Sequence, residues 1–155
     1  MPHCALHTPI GDLTLREEDG RIVSLDWGGD AAPAETPLLS RASDLLKAYL
    51  AGYPPAFTDL PLAPTGTDFQ KRVWTALRDI PAGQTETYGS LAKRLKTSPR
   101  AVGMACAANP IPIMIPCHRV VAANGGLGGY SGGAGLDTKA ALLRLEFRTP
   151  ETAIA

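Results

Sequence analysis

Little cysteine, few aromatic residues and no excess of either charge mark this sequence, and each shortage excludes something. Its three cysteines, Cys4, Cys106 and Cys117, are odd in number and form no C-x-x-C pair, so neither a disulfide framework nor a zinc ribbon fits. His3, Cys4 and His7 alternate faces on one short extended run and make a poor ligand set, so no metal is expected. No apolar run approaches the ~18 residues that cross a bilayer, and no membrane association is expected. The start of the chain has no basic region followed by an apolar stretch, so the expectation is no signal peptide and a reducing cytoplasm. A phosphate-cradling G-x-x-x-x-G-K-[ST] is missing, as is a complete G-x-G-x-x-G, and internal repeats are absent.

What is present supports a folded core. The chain has 155 residues, 45% hydrophobic and 19% charged, enough for one domain or two small ones. Net charge is zero, yet unevenly divided. Residues 1–65 hold four Lys/Arg against nine Asp/Glu, whereas residues 66–155 hold eleven against six. A basic half joined to an acidic one hints at nucleic-acid contact, and chance partition of surface charge explains it equally well.

The pattern predicts two units, 1–65 and 66–155. In the first, His3 to Thr8, Leu13 to Glu17 and Arg21 to Trp27 read as short antiparallel strands, with an Asp19-Gly20 hairpin turn. Thr36-Pro37 opens a helix whose expected stripe is Leu38, Ala42, Leu45 and Tyr49, with Gly52 closing it. The stretch from Gly52 to Thr67, rich in proline, reads as a linker. In the second unit, Thr67-Asp68-Phe69-Gln70 fits a capping box, and Phe69, Val73, Leu77 and Ile80 recur at helical spacing, with Trp74 in the core. Thr87 and Ser98-Pro99 open two short helices that read as a helix-turn-helix. The prolines of Asn109 to Pro116 predict a stiff extended segment leading to Cys117. Seven of the eleven residues from Gly125 to Gly135 are glycine. A last helix is expected from Asp137 to Phe147, facing inward with Ala140, Leu143 and Phe147, with residues from Thr149 onward frayed.

Cys117 reads either as a nucleophile or as a buried structural cysteine. A thiol of pKa about 8.5 needs help to ionise, and His118 beside it points to the opposite face unless the chain turns there. Glu146, in a last helical turn where a carboxylate is mildly disfavoured, reads either as the partner of His118 or as a solvated glutamate. The glycine run serves as a flexible loop or as a close backbone approach to a ligand, with Tyr130 and Ser131 inside it. Cys106 reads as a small core residue. The second short helix is nearly bare: Ala101, Gly103, Ala105, Ala107 and Ala108 offer nothing to read base edges. With Arg100 at its start it suits sequence-tolerant approach to a minor groove, or else tight packing between helices.

Phe69-Gln70, Tyr88, Arg100-Ala101-Val102-Gly103, Asn109-Pro110, Pro116-Cys117-His118-Arg119-Val120, Tyr130-Ser131-Gly132-Gly133 and Glu146 occur in order, and together they resemble the O6-alkylguanine-DNA alkyltransferases. These are also called methylated-DNA–protein-cysteine methyltransferases. The likeness covers roughly residues 66–147, with Pro-Cys-His-Arg-Val its most specific part, while the first unit is similar only in layout. It implies an α/β (α+β) fold: a ribonuclease H-like three-stranded sheet with a helix, then a helical domain with the helix-turn-helix. It implies that Cys117 irreversibly accepts the alkyl group of O6-alkylguanine, and of O4-alkylthymine, after the base is flipped from the duplex. His118 and Glu146 would form a water-assisted relay, and Asn109 would tie the helix-turn-helix to the active-site segment. Arg100 would fill the gap left in the stack, with Ala101 and Gly103 along the groove. Tyr88 would press on phosphate and protonate the leaving base. Val120 and Ser131 would give backbone contacts, Tyr130 a pocket wall, and Lys139 a place near the rim. The implied partner is double-stranded DNA, bound from the minor groove by a monomer without a cofactor. The turn Leu95 to Pro99 is shorter, and the segment from Gly133 to Lys139 longer, than the family pattern.

Three rivals make different demands. An alkyltransferase-like damage sensor replaces the cysteine that is present here. A Cys-His hydrolase would turn over and gives Arg100 no role. A helix-turn-helix regulator would need side chains that the second helix lacks.

Overall fold

The computed structural model describes residues 1–53, 57–130 and 132–154. Three antiparallel strands, β1 (His3–Leu6), β2 (Leu13–Glu18) and β3 (Arg21–Trp27), form a sheet in sequence order. Asp19 and Gly20 both adopt positive φ, 52° and 76°, as a tight two-residue hairpin turn requires. The register shift between Arg16 and Glu17 leaves Val23 of β3 as an extra residue, a bulge that bends that strand. Helix α1 (Pro37–Leu50) lies against β1 and β2, capped by Thr36 Oγ1 accepting from Leu39 N–H at 3.1 Å. Its buried face is Leu39, Ala42, Ser43, Leu46 and Tyr49, so the expected stripe is rotated, with Leu38 and Leu45 only flanking the core.

The expected linker after Gly52 is better tied down than its prolines imply. A 3-10 turn at Phe57–Asp59 buries Phe57, and Leu60 follows it inward. Ile22 N–H then donates to Pro61 O, and Ala63 N–H donates back to Ile22 O. This segment therefore runs along the outer edge of β3.

In the second half, α2 (Asp68–Leu77) opens on a complete capping box between Thr67 and Gln70. Its Trp74 is 1% exposed and donates its indole N–H to Ala105 O at 2.8 Å. Two residues of β4 (Glu86–Thr87) lead into α3 (Tyr88–Leu95), and Ser98 caps α4 (Pro99–Ala107). Lys96 takes the left-handed conformation between these helices, φ 57°, which makes the short turn possible.

The segment Asn109 to Pro116 is not extended. Ile115 N–H donates to Ile111 O at 2.9 Å and Ile113 sits at φ 75°, so the chain folds back on itself. A left-handed β-branched residue is strained, by about 1–3 kcal/mol. Burial of Ile111, Ile113, Met114 and Ile115 offsets that cost. A 3-10 turn at Cys117–Arg119 follows, then β5 (Val120–Val121), which pairs in parallel with β4. The last helix, α5 (Leu136–Ile154), runs past its expected end. It faces inward through Thr138, Lys139, Leu142, Leu143 and Glu146, whereas Phe147 is half exposed.

Candidate active site

The turn at Cys117 is what brings consecutive residues into one centre. Cys117 N–H donates to Ile115 O at 2.8 Å and Arg119 N–H to Pro116 O at 3.0 Å. The turn is held by Asn109, just past the end of α4, whose Nδ2 donates to Ile115 O at 2.8 Å while its Oδ1 accepts from Ile111 N–H at 3.0 Å. Cys117 then opens on a cavity of about 870 Å³, a size suited to a small organic ligand. His118 points the other way, into the core.

His118 is fully buried, and its Nε2 lies 2.6 Å from Glu146 Oε2. Arg119 clamps the same carboxylate, Nε to Oε1 and Nη2 to Oε2, both at 2.9 Å, and its Nη1 donates to Ile80 O at 2.6 Å. The hydroxyl of Tyr49 also donates to Glu146 Oε2. Burial alone would raise the Glu146 carboxyl, but the hydrogen bonds from His118 and Arg119 outweigh it and bring it down to about 2. Burial pushes His118 below its usual value, against the pull of Glu146. At neutral pH the group is therefore an ionised Glu146, a cationic Arg119 and a neutral His118. An ionised carboxylate only accepts, so the network puts the imidazole proton on Nε2. That leaves Nδ1 as a buried lone pair with no protein partner among the described residues.

The Cys117 thiol is pushed up by burial, and the Asn109 side chain and the Lys139 ammonium pull it partly back. Asn109 and Lys139 are thus the side chains that favour the thiolate at this position.

Tyr88, Arg100, Gly103, Asn109 and Tyr130 line the cavity with Cys117. Tyr130's hydroxyl is buried without a partner among the described residues, and burial pushes its phenol well up. Ala101 lies half-buried on α4, outside the lining. Val120 is fully buried, its carbonyl accepting from Lys139 Nζ at 2.7 Å. Lys139 is not at a rim: it is fully buried behind the cavity. Its ammonium also donates to Gly129 O at 3.1 Å and Tyr88 OH at 3.3 Å, and so ties the glycine-rich segment to β5 and α3. Ser131 lies outside the described residues.

Several site residues were not found by sequence reasoning. Arg119 was visible in the motif, and a buried carboxylate demands a cation, so that signal existed. Cys106 lines the cavity rather than filling the core, and burial pushes its thiol up to about 12. Asp26 and Trp27 reach the cavity from β3, and Trp27 stands edge-on to Tyr130 with ring centroids 6.3 Å apart. Close approach also explains a glycine. A Cβ on Gly128, at φ +74°, would sit 2.6 Å from Tyr88 Cε2.

Comparison with known proteins agrees over most of the chain. The profile described as "6-O-methylguanine DNA methyltransferase, ribonuclease-like domain" matches residues 3–64, and that for the DNA binding domain matches residues 68–148. A methylated-DNA–protein-cysteine methyltransferase of Methanosarcina mazei is 54% identical, covering 94% of this chain and 97% of the relative. One of Methanosarcina acetivorans is 42% identical, with 94% and 98% covered. The crystal structure of Mycobacterium tuberculosis OGT in complex with DNA superposes with a TM-score of 0.80 at 41% identity, covering 93% of this chain and 92% of that one. The chain with the buried Cys117-His118-Arg119 turn belongs to the 6-O-methylguanine DNA methyltransferase family.

Proposed function

We propose that this protein repairs DNA by moving the alkyl group of O6-alkylguanine, and of O4-alkylthymine, onto Cys117 in a single irreversible turnover. The observation that carries the reading is the cavity-facing thiol backed by the His118–Glu146–Arg119 group. His118 Nδ1 takes the thiol proton through a bridging water, and the thiolate attacks the alkyl carbon in line. A sulfur–carbon bond forms and the carbon–O6 bond breaks. Tyr88 donates to the departing guanine, since burial keeps its phenol protonated and Lys139 donates to its oxygen. The proton lost from sulfur and the one gained by guanine balance, so the reaction needs no cofactor. The thioether is stable, which makes the protein its own spent reagent.

The base must leave the stack to reach the cavity, at a cost of a few kcal/mol. Arg100 is exposed at the cavity's mouth and takes the place of the extruded nucleotide. Apart from Arg100 and the exposed Met104, the open side of α4 is small without an internal reason: a Cβ on Gly103 would meet nothing within 4 Å. Bareness there serves close approach to DNA from the minor groove, by a monomer, and all three cysteines are free thiols as a reducing cytoplasm keeps them. The units 1–65 and 66–155 divide the work, the second carrying the DNA surface and the nucleophile.

Incubation with duplex DNA containing O6-methylguanine, followed by peptide mass spectrometry, tests the reading. One CH2 is gained per chain, on the peptide containing Cys117, and Cys117→Ala gains none. Repeated turnover, or methyl on Cys106, would overturn it.

A further inference from the structure

One donor to Glu146 comes from far away in sequence. Tyr49 stands on α1, and its hydroxyl reaches Oε2 across 97 positions. That oxygen already accepts from His118 Nε2 at 2.6 Å and from Arg119 Nη2 at 2.9 Å, whereas Oε1 takes Arg119 Nε at 2.9 Å. Donors that share one oxygen draw on the same electron density, so each weakens the hold of the others. The hydroxyl is not needed to fill space. Tyr49 is 2% exposed and its ring packs on Phe57 at 5.6 Å, contacts a phenylalanine would keep.

We propose that Tyr49 is a positioning residue for the alkyl transfer: its hydroxyl fixes the Glu146 carboxylate and limits how strongly that carboxylate holds the His118 Nε2–H. The first half of the chain thereby sets the basicity of the relay in the second. This rests on the reading of Cys117 as acceptor and of His118 as its base. Among the described residues, the charged and titratable groups facing this centre are His118 and Arg119 from the 3-10 turn, Tyr49 from α1, Tyr130 from the glycine-rich segment, and Lys139 from α5, which opposes an imidazolium. Among them Tyr49 alone joins the centre from the sheet-plus-helix half.

The sign of the effect follows. Without the hydroxyl, Glu146 attracts the Nε2 proton more strongly and His118 becomes more basic. It then stays protonated to higher pH, where it cannot take the thiol proton. The test is the rate of Cys117 alkylation of the full chain by the free base O6-benzylguanine, followed by intact mass from about pH 5 to about pH 9. Tyr49→Phe moves the acid limb upward by about half to one pH unit, with the plateau within about threefold of wild type. Phe57→Leu disturbs the same packing without touching Glu146, so it lowers thermal stability and leaves the limb in place. An unmoved acid limb in Tyr49→Phe, or an equal shift in Phe57→Leu, would reduce Tyr49 to packing and overturn the proposal. Failure of the wild-type chain to alkylate Cys117 at all would instead overturn the reading beneath it.

Discussion

The two sides of Cys117 are built by opposite means. Behind it, His118, Arg119, Glu146 and Tyr49 hold one another from a turn and two helices, with burial nearly complete and a charged hydrogen bond on each carboxylate oxygen. In front of it, the cavity wall is a glycine-rich segment fastened by Lys139 and shaped by what leans on it, Tyr88 and Trp27. The rear has one arrangement because moving any member exposes a buried charge. The front owes its shape to close approaches, whose energies are smaller and whose loss is local. A rear fixed by charge and a front shaped by close packing thus meet at one thiol.

Breaking the rear should cost most. Arg119→Met leaves the Glu146 charge buried without its cation and lowers stability by about 3–5 kcal/mol, measured by urea unfolding. The same centre makes the fold acid-labile, in two stages of one sign. Folding keeps His118 neutral, so below its usual value of 6.5 only the unfolded chain takes up that proton and stability begins to fall. Glu146 is held at about 2 against a usual 4.5, so the stability it gives is full above 4.5 and is lost as pH falls towards 2. Urea midpoints recorded against pH should show both stages, and Glu146→Gln should remove the lower one.

Breaking the front should cost less. Gly128→Ala combines a positive φ with a Cβ 2.6 Å from the Tyr88 ring. It should lower stability by about 1–3 kcal/mol and slow transfer from duplex and from free base alike. The smallest effect belongs to α4. Gly103→Ala meets no neighbour within 4 Å and should raise stability by about 0.5–1 kcal/mol. It should also weaken binding to DNA in a fluorescence titration, with a smaller fall in reaction with O6-benzylguanine, since Gly103 also lines the cavity. A gain in stability without that loss would show that DNA does not press on this helix.

The contrast also explains what the sequence disclosed. Features decided by neighbours in the chain were legible: the Asp19-Gly20 turn, the caps Thr36, Thr67, Thr87 and Ser98, and the cysteine motif. Where distant segments decide, local rules failed. Prolines around Ile111 and Ile113 read as extension, yet burial of those side chains folds the segment back through a strained residue. Lys139, which the resemblance put near the rim, is buried instead, and nothing nearby in sequence announces its three acceptors. Tyr49 and Trp27 looked like ordinary apolar residues of the first half, and no local pattern tells a tyrosine that ends on solvent from one that ends on a carboxylate.

The pairing of Glu86–Thr87 with Val120–Val121 carries a consequence for how the family's length can drift. Two residue pairs join the start of α3, where Tyr88 stands, directly to the strand that leaves the Cys117 turn. The offset between Tyr88 and Cys117 is thus gauged across one short ladder rather than along the chain between them. Insertions and deletions in the turn from Leu95 to Pro99, or between Gly133 and Lys139, fall outside that gauge. Such loops can lengthen or shorten while the offset between Tyr88 and Cys117 stays as the ladder sets it.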